Sequence, residues 1–300
     1  MIGSCFGMTV RSALPLRFLR DGAAGDPLAI EPAAGRRVGA DPEPLLAFTA
    51  TAADGSPARA VLRRAQGGCF EFEVEDVGAY LIDPGGRIEV PWDDDGVRAE
   101  QMLWNVPAML VALARGRACL HAAAVDIGGR AVLLAAPGRF GKTTLALAFH
   151  EAGYRVLSED VACIGLGAEP VCLPGPALLR VRDGGGGAAP PGLELAARRP
   201  GRCEYAIAAA RRGDGAGVPL GAVVRLREAD EIGFHRVPSA DVVRDLFALA
   251  FRLPDPQAQA ATFAAAADVA AAVPCFDLQR PLRLDQLAAT VERVALGVAA

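Results

Sequence analysis

Between Ala131 and Gly153 the chain reads AVLLAAPGRFGKTTLALAFHEAG: an apolar strand, a loop with two glycines, the run Gly141-Lys142-Thr143-Thr144, and then a helix with Leu145, Leu147 and Phe149. A strand that passes through such a loop directly into a helix belongs to an α/β nucleotide-binding core. The loop spans roughly Ala136 to Thr144. Over Pro137, Gly138, Arg139, Phe140, Gly141, Lys142, Thr143 and Thr144, successive amide N–H groups and the positive end of the helix would surround a triphosphate. Lys142 would neutralise its charge, and Thr143 would ligate magnesium. Ala136 stands where the full GxxxxGK[ST] motif has its first glycine, and alanine does not share glycine's access to positive φ.

Two acidic residues, Glu159 and Asp160, follow a second apolar segment, YRVLSED. A carboxylate at a strand end beside a phosphate loop is where a metal ion and an attacking hydroxyl need one. His121, in CLHAAAVDIGG, precedes the loop strand on a neighbouring strand. A single histidine on an apolar strand is ordinarily a hydrogen-bonded core residue, and only the company of the loop and the acidic pair singles this one out. His150 and His235 receive no role.

Around this segment, 300 residues of 52% hydrophobic composition suffice for a well-buried core and favour two domains. Lys and Arg total 31 against 35 acidic residues, a net charge of −4, so no global basic field exists to hold nucleic acid. The seven cysteines are scattered and never form a CxxC pair, which argues against zinc and a disulfide framework and for reduced thiols in a cytoplasm. The N-terminal stretch has no basic residue before its apolar part, and no uncharged apolar run reaches about 18 residues, so secretion and membrane spanning are not expected.

Residues 1–97 read as a β-rich module: CFEFEVED sets Phe70, Phe72 and Val74 on one face of a strand, and AYLID and RIEV form a hairpin across Pro84-Gly85-Gly86. Residues 98–117 read as a linking helix disturbed at Pro107, and residues 118–300 as the catalytic domain. Glycine- and proline-rich stretches at 21–45, 183–192 and 211–219 are expected to be loops. AVVRLRE reads as a strand, and DVVRDLFALAFR, 257–272 and 284–297 as helices.

The run from Leu120 to Ile164 resembles the catalytic core of HPr kinase/phosphorylase, which places a histidine strand, a P-loop, a helix and an acidic pair in this order. The resemblance implies a P-loop kinase core of the HPr kinase C-terminal domain type, preceded by a smaller β-rich N-terminal module, using ATP and Mg2+. By position it makes Lys142 and Thr143 the holders of phosphates and magnesium, Glu159 the hydroxyl-activating acid and Asp160 a support for the metal. His121 lies near that pair. The chain departs from the family in having Glu rather than Asp as the first acid, Ala136 in the loop, and PALLRVRDGGGG where the family has an arginine-containing signature. These departures point away from HPr as acceptor and from the reverse reaction.

The N-terminal arrangement looks like that of the HPr-kinase-related kinases of lasso peptide and other ribosomal peptide biosynthesis, which phosphorylate a serine of a precursor peptide. A peptide or protein acceptor would need an open groove with a basic rim, and Arg180, Arg182 and Arg202 could supply it. A small-molecule hydroxyl kinase, needing an enclosed polar pocket, and a nucleotide-sensing or peptide-binding module without turnover are the competing readings. The acidic pair favours an enzyme, because a binding module has no chemical need of two carboxylates.

Overall fold

A computed structural model of the chain describes residues 1–23, 25–34, 43–93, 96–182, 189–208 and 215–299. It is a mixed α/β protein with three sheets among the described residues. Contacts divide it into two compact units. The first comprises Met1–Gly116, Pro176–Gly215 and Leu253–Asp255, and the second Arg117–Gly175, Ala216–Arg252 and Pro256–Ala300.

The first unit opens with β1 (Ile2–Cys5), β2 (Met8–Ser12), β3 (Pro27–Pro32), β4 (Leu46–Thr51), β5 (Pro57–Arg64), β6 (Phe70–Val74), β7 (Gly78–Asp83) and β8 (Arg87–Val90). They form one sheet in the order β1-β2-β3-β8-β7-β6-β5-β4. β6 buries Phe70, Phe72 and Val74 as their alternation requires, and β7 and β8 form the expected hairpin with Asp83 opposite Arg87. The expected loop over 21–45 is corrected in part: β3 lies within it, paired in parallel with β2 and β8. Its prolines stand at the two ends of the strand while Leu28 and Ile30 face the core, so neither proline interrupts the buried face.

The expected helix over 98–117 is two helices, α1 (Gly96–Leu103) and α2 (Val106–Ala114). Pro107 does not kink a continuous helix; it sits in the first turn of α2, where its missing N–H has no intrahelical partner to lose. Glu100, fully buried on α1, accepts the amides of Arg17 at 2.5 Å and Phe18 at 2.8 Å and the Trp104 indole N–H at 3.2 Å. Its charge is thereby satisfied inside the unit.

The second unit contains β9 (Ala118–Leu120), β10 (Ala122–Ile127), β11 (Arg130–Ala135), α3 (Lys142–Glu151), β12 (Arg155–Ser158), β13 (Ala162–Gly165) and β14 (Val171–Leu173). The chain then returns to the first unit for β15 (Leu178–Arg182), β16 (Leu193–Arg199) and β17 (Arg202–Ile207), a sheet in the order β15-β17-β16. The expected bounds of 118–300 thus do not coincide with a compact unit. Phe18, Val97, Leu178 and Ala206 share one apolar cluster, and the Ala177 amide donates to the Phe18 carbonyl at 2.8 Å. Of the expected loops at 183–192 and 211–219, residues 183–188 and 211–214 lie outside the described residues.

The second unit resumes with β18 (Val218–Glu228), β19 (Gly233–Val237), α4 (Ala240–Leu249), α5 (Pro256–Ala272), β20 (Cys275–Arg280) and α6 (Leu287–Ala299). Its sheet runs β12-β10-β11-β18-β14-β13-β9, with β20 also on β18 and β19 on β20. β11, β18 and β20 are mutually parallel, so their carboxyl ends open at one edge. Every residue of β11 after Arg130 is buried, which is why it reads as a continuous apolar run. α3 packs on β10 and α6 through Leu145, Ala146 and Phe149, facing a β10 of small residues that lets the helix approach closely. Phe149 is fully buried and meets Tyr154 edge-on at 5.4 Å. No helix among the described residues is long and apolar enough to cross a membrane.

Cys69 is half-buried and the other six cysteines are buried. Cys119 faces Cys163 across β9 and β13, and the hydrogen bond between them together with burial holds the Cys119 thiol well above the ordinary thiol range. Native alkylation should therefore modify Cys69 alone, and all seven after denaturation, as read by mass spectrometry; a second native adduct would contradict the packing. Phe149→Ala should cost about 3–5 kcal/mol in chemical denaturation, because α3 is seated on the sheet by that ring.

Candidate functional site

The site lies at the carboxyl end of β11, where Ala135 gives way to residues 136–141 and then to α3. Gly141 is the N-cap of α3 in the left-handed conformation, φ +74°, and no side chain caps the helix there. The first turn of α3 carries no acidic residue either, so the positive end of the helix keeps its preference for an anion. Arg139 takes φ +72°, a conformation that costs a residue with a Cβ, and such strain gathers where a loop is shaped for something other than its own stability. Ala136 is not among the residues of positive φ, so the missing first glycine is not required at this position.

Lys142 lies at the start of α3 with 6% exposure, its side chain turned back beneath the loop. Nζ donates to the carbonyls of Ala136 at 2.7 Å and Pro137 at 3.0 Å and stands 2.9 Å from His121 Nε2. An ammonium can only donate, so Nε2 is the acceptor and the imidazole proton resides on Nδ1. That nitrogen lies 3.3 Å from Asp160 Oδ1, which accepts it. Asp160, His121 and Lys142 therefore form one polar chain with the donor direction assigned at each link.

His121 owes its place to the junction of β9 and β10, where its amide donates to the Leu249 carbonyl at 2.8 Å at the end of α4. The acidic pair follows β12, which lies antiparallel to β10 with Ser158 opposite Ala124. The turn is pinned by the buried Ser158 hydroxyl donating to the Val161 carbonyl. Glu159 and Asp160 are thus held in place rather than solvated at a loose bend. Glu159 is 6% exposed and its Oε1 accepts the Thr143 hydroxyl.

Lys142, Thr143, Glu159, Asp160 and His121 accordingly come together around one loop. The partners cross the expected order. Glu159, read from the resemblance as the acid for the hydroxyl, is tied to Thr143, while Asp160, read as the metal support, is tied to His121. Arg180 and Arg182 lie on β15 and Arg202 on β17, with Arg182 opposite Arg202, in the first unit rather than in the unit that holds the loop. One residue the sequence reading passed over belongs to the loop: Arg280, the last residue of β20, donates through Nη2 to the Phe140 carbonyl at 2.9 Å. Nothing local marks it, since the contact spans 140 positions of chain.

Thr143 and Glu159 offer a pair of hard oxygens beside an anion-attracting loop, a donor set suited to Mg2+, which takes one or two protein oxygens and completes its sphere with phosphates and water. The described residues hold no cluster of three or more His, Cys, Asp or Glu side chains able to cage a metal by themselves. The arrangement can bind a polyphosphate with its metal and set two carboxylates beside it.

No protein-family model and no curated protein matches the chain. Among solved structures, the HPr(Ser) kinase/phosphatase from Coxiella burnetii aligns with 61% of this chain and 99% of its own at 11% identity and a TM-score of 0.33. A likeness at that level carries no argument about family or activity.

Lys142→Ala should weaken binding of inorganic triphosphate by about 10- to 100-fold, the loss expected for charge-assisted hydrogen bonds, with an unchanged far-UV spectrum. Undiminished binding in a folded variant would remove the loop from consideration as the anion site.

Proposed function

We propose that the second unit is a P-loop kinase core that binds ATP with Mg2+ and transfers the γ-phosphoryl group to a hydroxyl, with a serine of a peptide or protein as acceptor. The observation that carries this reading is the junction of β11, the 136–141 loop and α3, with Lys142 beneath the loop and two differently partnered carboxylates beside it. An anion site alone needs the loop and the lysine; the paired acids supply what phosphoryl transfer adds.

In this reading the amides of residues 138–144 and the α3 N-terminus hold the phosphates, and Lys142 exchanges its carbonyl partners for phosphate oxygens. Thr143 and Glu159 would hold the metal, which would supply charge neutralisation to the phosphates. Asp160 receives the proton of the acceptor hydroxyl as that oxygen bonds to the γ-phosphorus and the bond to the β-phosphate oxygen breaks, leaving ADP. His121 orients Asp160 through Nδ1–H and links it to Lys142. This division reverses the one implied by the resemblance, and the contacts of Thr143 and His121 support it. The choice of a peptide acceptor, a ribosomally made precursor peptide above all, rests on the resemblance of residues 120–164 and of the N-terminal arrangement, with the cytoplasm as the proposed compartment.

Single-turnover transfer from γ-labelled ATP, with and without EDTA, to a serine-containing peptide and to small hydroxyl compounds tests the proposal. Metal-dependent label on the peptide is expected. Label on small compounds alone would make this a small-molecule kinase, and nucleotide binding without transfer would make it a sensing module. Asp160→Asn should keep nucleotide affinity and lose about 10²–10⁴-fold in transfer rate, while Glu159→Gln should chiefly raise the Mg2+ concentration required. The opposite pattern would restore the order implied by the resemblance.

A further inference from the structure

Arg280 stands at the carboxyl end of β20, opposite Glu228 of β18, on the sheet edge where β11 releases its loop. It is 2% exposed. Nη2 donates to the Phe140 carbonyl at 2.9 Å and reaches the Gly141 carbonyl at 3.4 Å; Nη1 reaches the Pro281 carbonyl at 3.5 Å. Among the described residues, Nε is buried with no hydrogen-bond partner and Arg280 makes no ion pair. Burial alone holds its guanidinium below the ordinary arginine range.

The neighbouring strand shows how this unit normally treats a buried arginine. Arg225 on β18 meets Asp277 at 2.7 and 3.0 Å and Asp245 at 2.9 Å. A buried cation without a counter-charge is costly, and a guanidinium retained in that state beside a loop made for an anion is complementary to the ligand rather than to the protein. Gly141 is shaped to the same contact: a Cβ there would lie 2.6 Å from Arg280 Nη2, besides having to take φ +74°.

We propose that Arg280 is a positioning residue for the polyphosphate: it draws the carbonyls of Phe140 and Gly141 onto its guanidinium, so that the amides that follow face the anion, and it places a second fixed positive charge behind the loop. The inference rests on the reading of the loop as a nucleotide site and adds to it a residue from a distant strand. Its consequence is selective. Loss of Arg280 weakens ligands in proportion to their phosphate charge and leaves the nucleoside part untouched.

Calorimetric affinities of ATP, ADP, AMP and adenosine for the wild-type chain, Arg280→Met and Arg280→Lys, with the melting temperature of each without ligand, test this. Arg280→Met should weaken ATP about 10- to 100-fold, ADP less, AMP less again and adenosine hardly at all, while the rise in melting temperature on adding ATP shrinks. Arg280→Lys should fall between, because it keeps the charge and loses the fork that holds two carbonyls. Equal losses for ATP and adenosine, or a lowered melting temperature with unchanged ATP affinity, would reduce Arg280 to a packing residue and overturn the inference. If Arg280→Met does not fold, the lysine variant decides: wild-type ATP affinity in it would likewise overturn the geometric role. A wild-type chain that binds none of the four ligands ends the nucleotide reading itself, and this inference with it.

Discussion

The parallel pairing of β11 with β18 governs the second unit, because it fixes the end of the sheet at which the 136–141 loop emerges. Ala135 lies opposite Arg225, and beyond that register β11 has no further partner and must turn away into α3. With β20 parallel on the far side of β18, three carboxyl ends converge at one edge. Open α/β sheets bind ligands at such edges, since strands leave there as loops whose backbone groups are not consumed by the ladder. The loop, the helix N-terminus and Arg280 share a neighbourhood because of that alignment, not because of proximity in the chain.

Charge is handled in this unit in two contrasting ways. Arg225 is closed into a network with Asp277 and Asp245, so its charge is spent within the protein. Lys142 donates to backbone carbonyls and to His121, and Arg280 is turned onto backbone carbonyls, which satisfy its donors without cancelling a full charge. Carbonyl dipoles are weaker partners than carboxylates, so a lysine held by them can exchange them for phosphate oxygens at smaller cost. The carboxylates that are near, Glu159 and Asp160, have Thr143 and His121 among their partners and are thereby held beside the loop.

The first unit obeys a different logic. Its eight-stranded sheet is closed by local hairpins from β4 to β8, but the three-stranded sheet carrying Arg180, Arg182 and Arg202 enters it from far along the chain. The opposition of Arg182 and Arg202 concentrates like charge on that sheet, an arrangement that is unfavourable unless solvent or an anionic group screens it. An apolar cluster of Phe18, Val97, Leu178 and Ala206 holds the inserted sheet to the unit, so burial and not sequence neighbourhood decides where it belongs.

The sequence by itself determined the features that depend on short range. The apolar run of β11, the glycine before Lys142, the alternation of β6 and the helices expected at 257–272 and 284–297 are all written in adjacent residues, because period and backbone freedom are local properties. It also marked Lys142, Thr143, Glu159, Asp160 and His121, through their order around one loop. Tertiary structure alone decided the rest. β3 was hidden by its terminal prolines, and the single helix expected over 98–117 divided because Pro107 is as well placed to begin a helix as to bend one. The crossing of the acidic pair, Glu159 to Thr143 and Asp160 to His121, depends on how the turn after β12 meets β10 and α3. Arg280 was beyond any local reading, since its partners lie across two strands of a parallel sheet, and parallel pairing joins segments whose separation in the chain leaves no periodic trace.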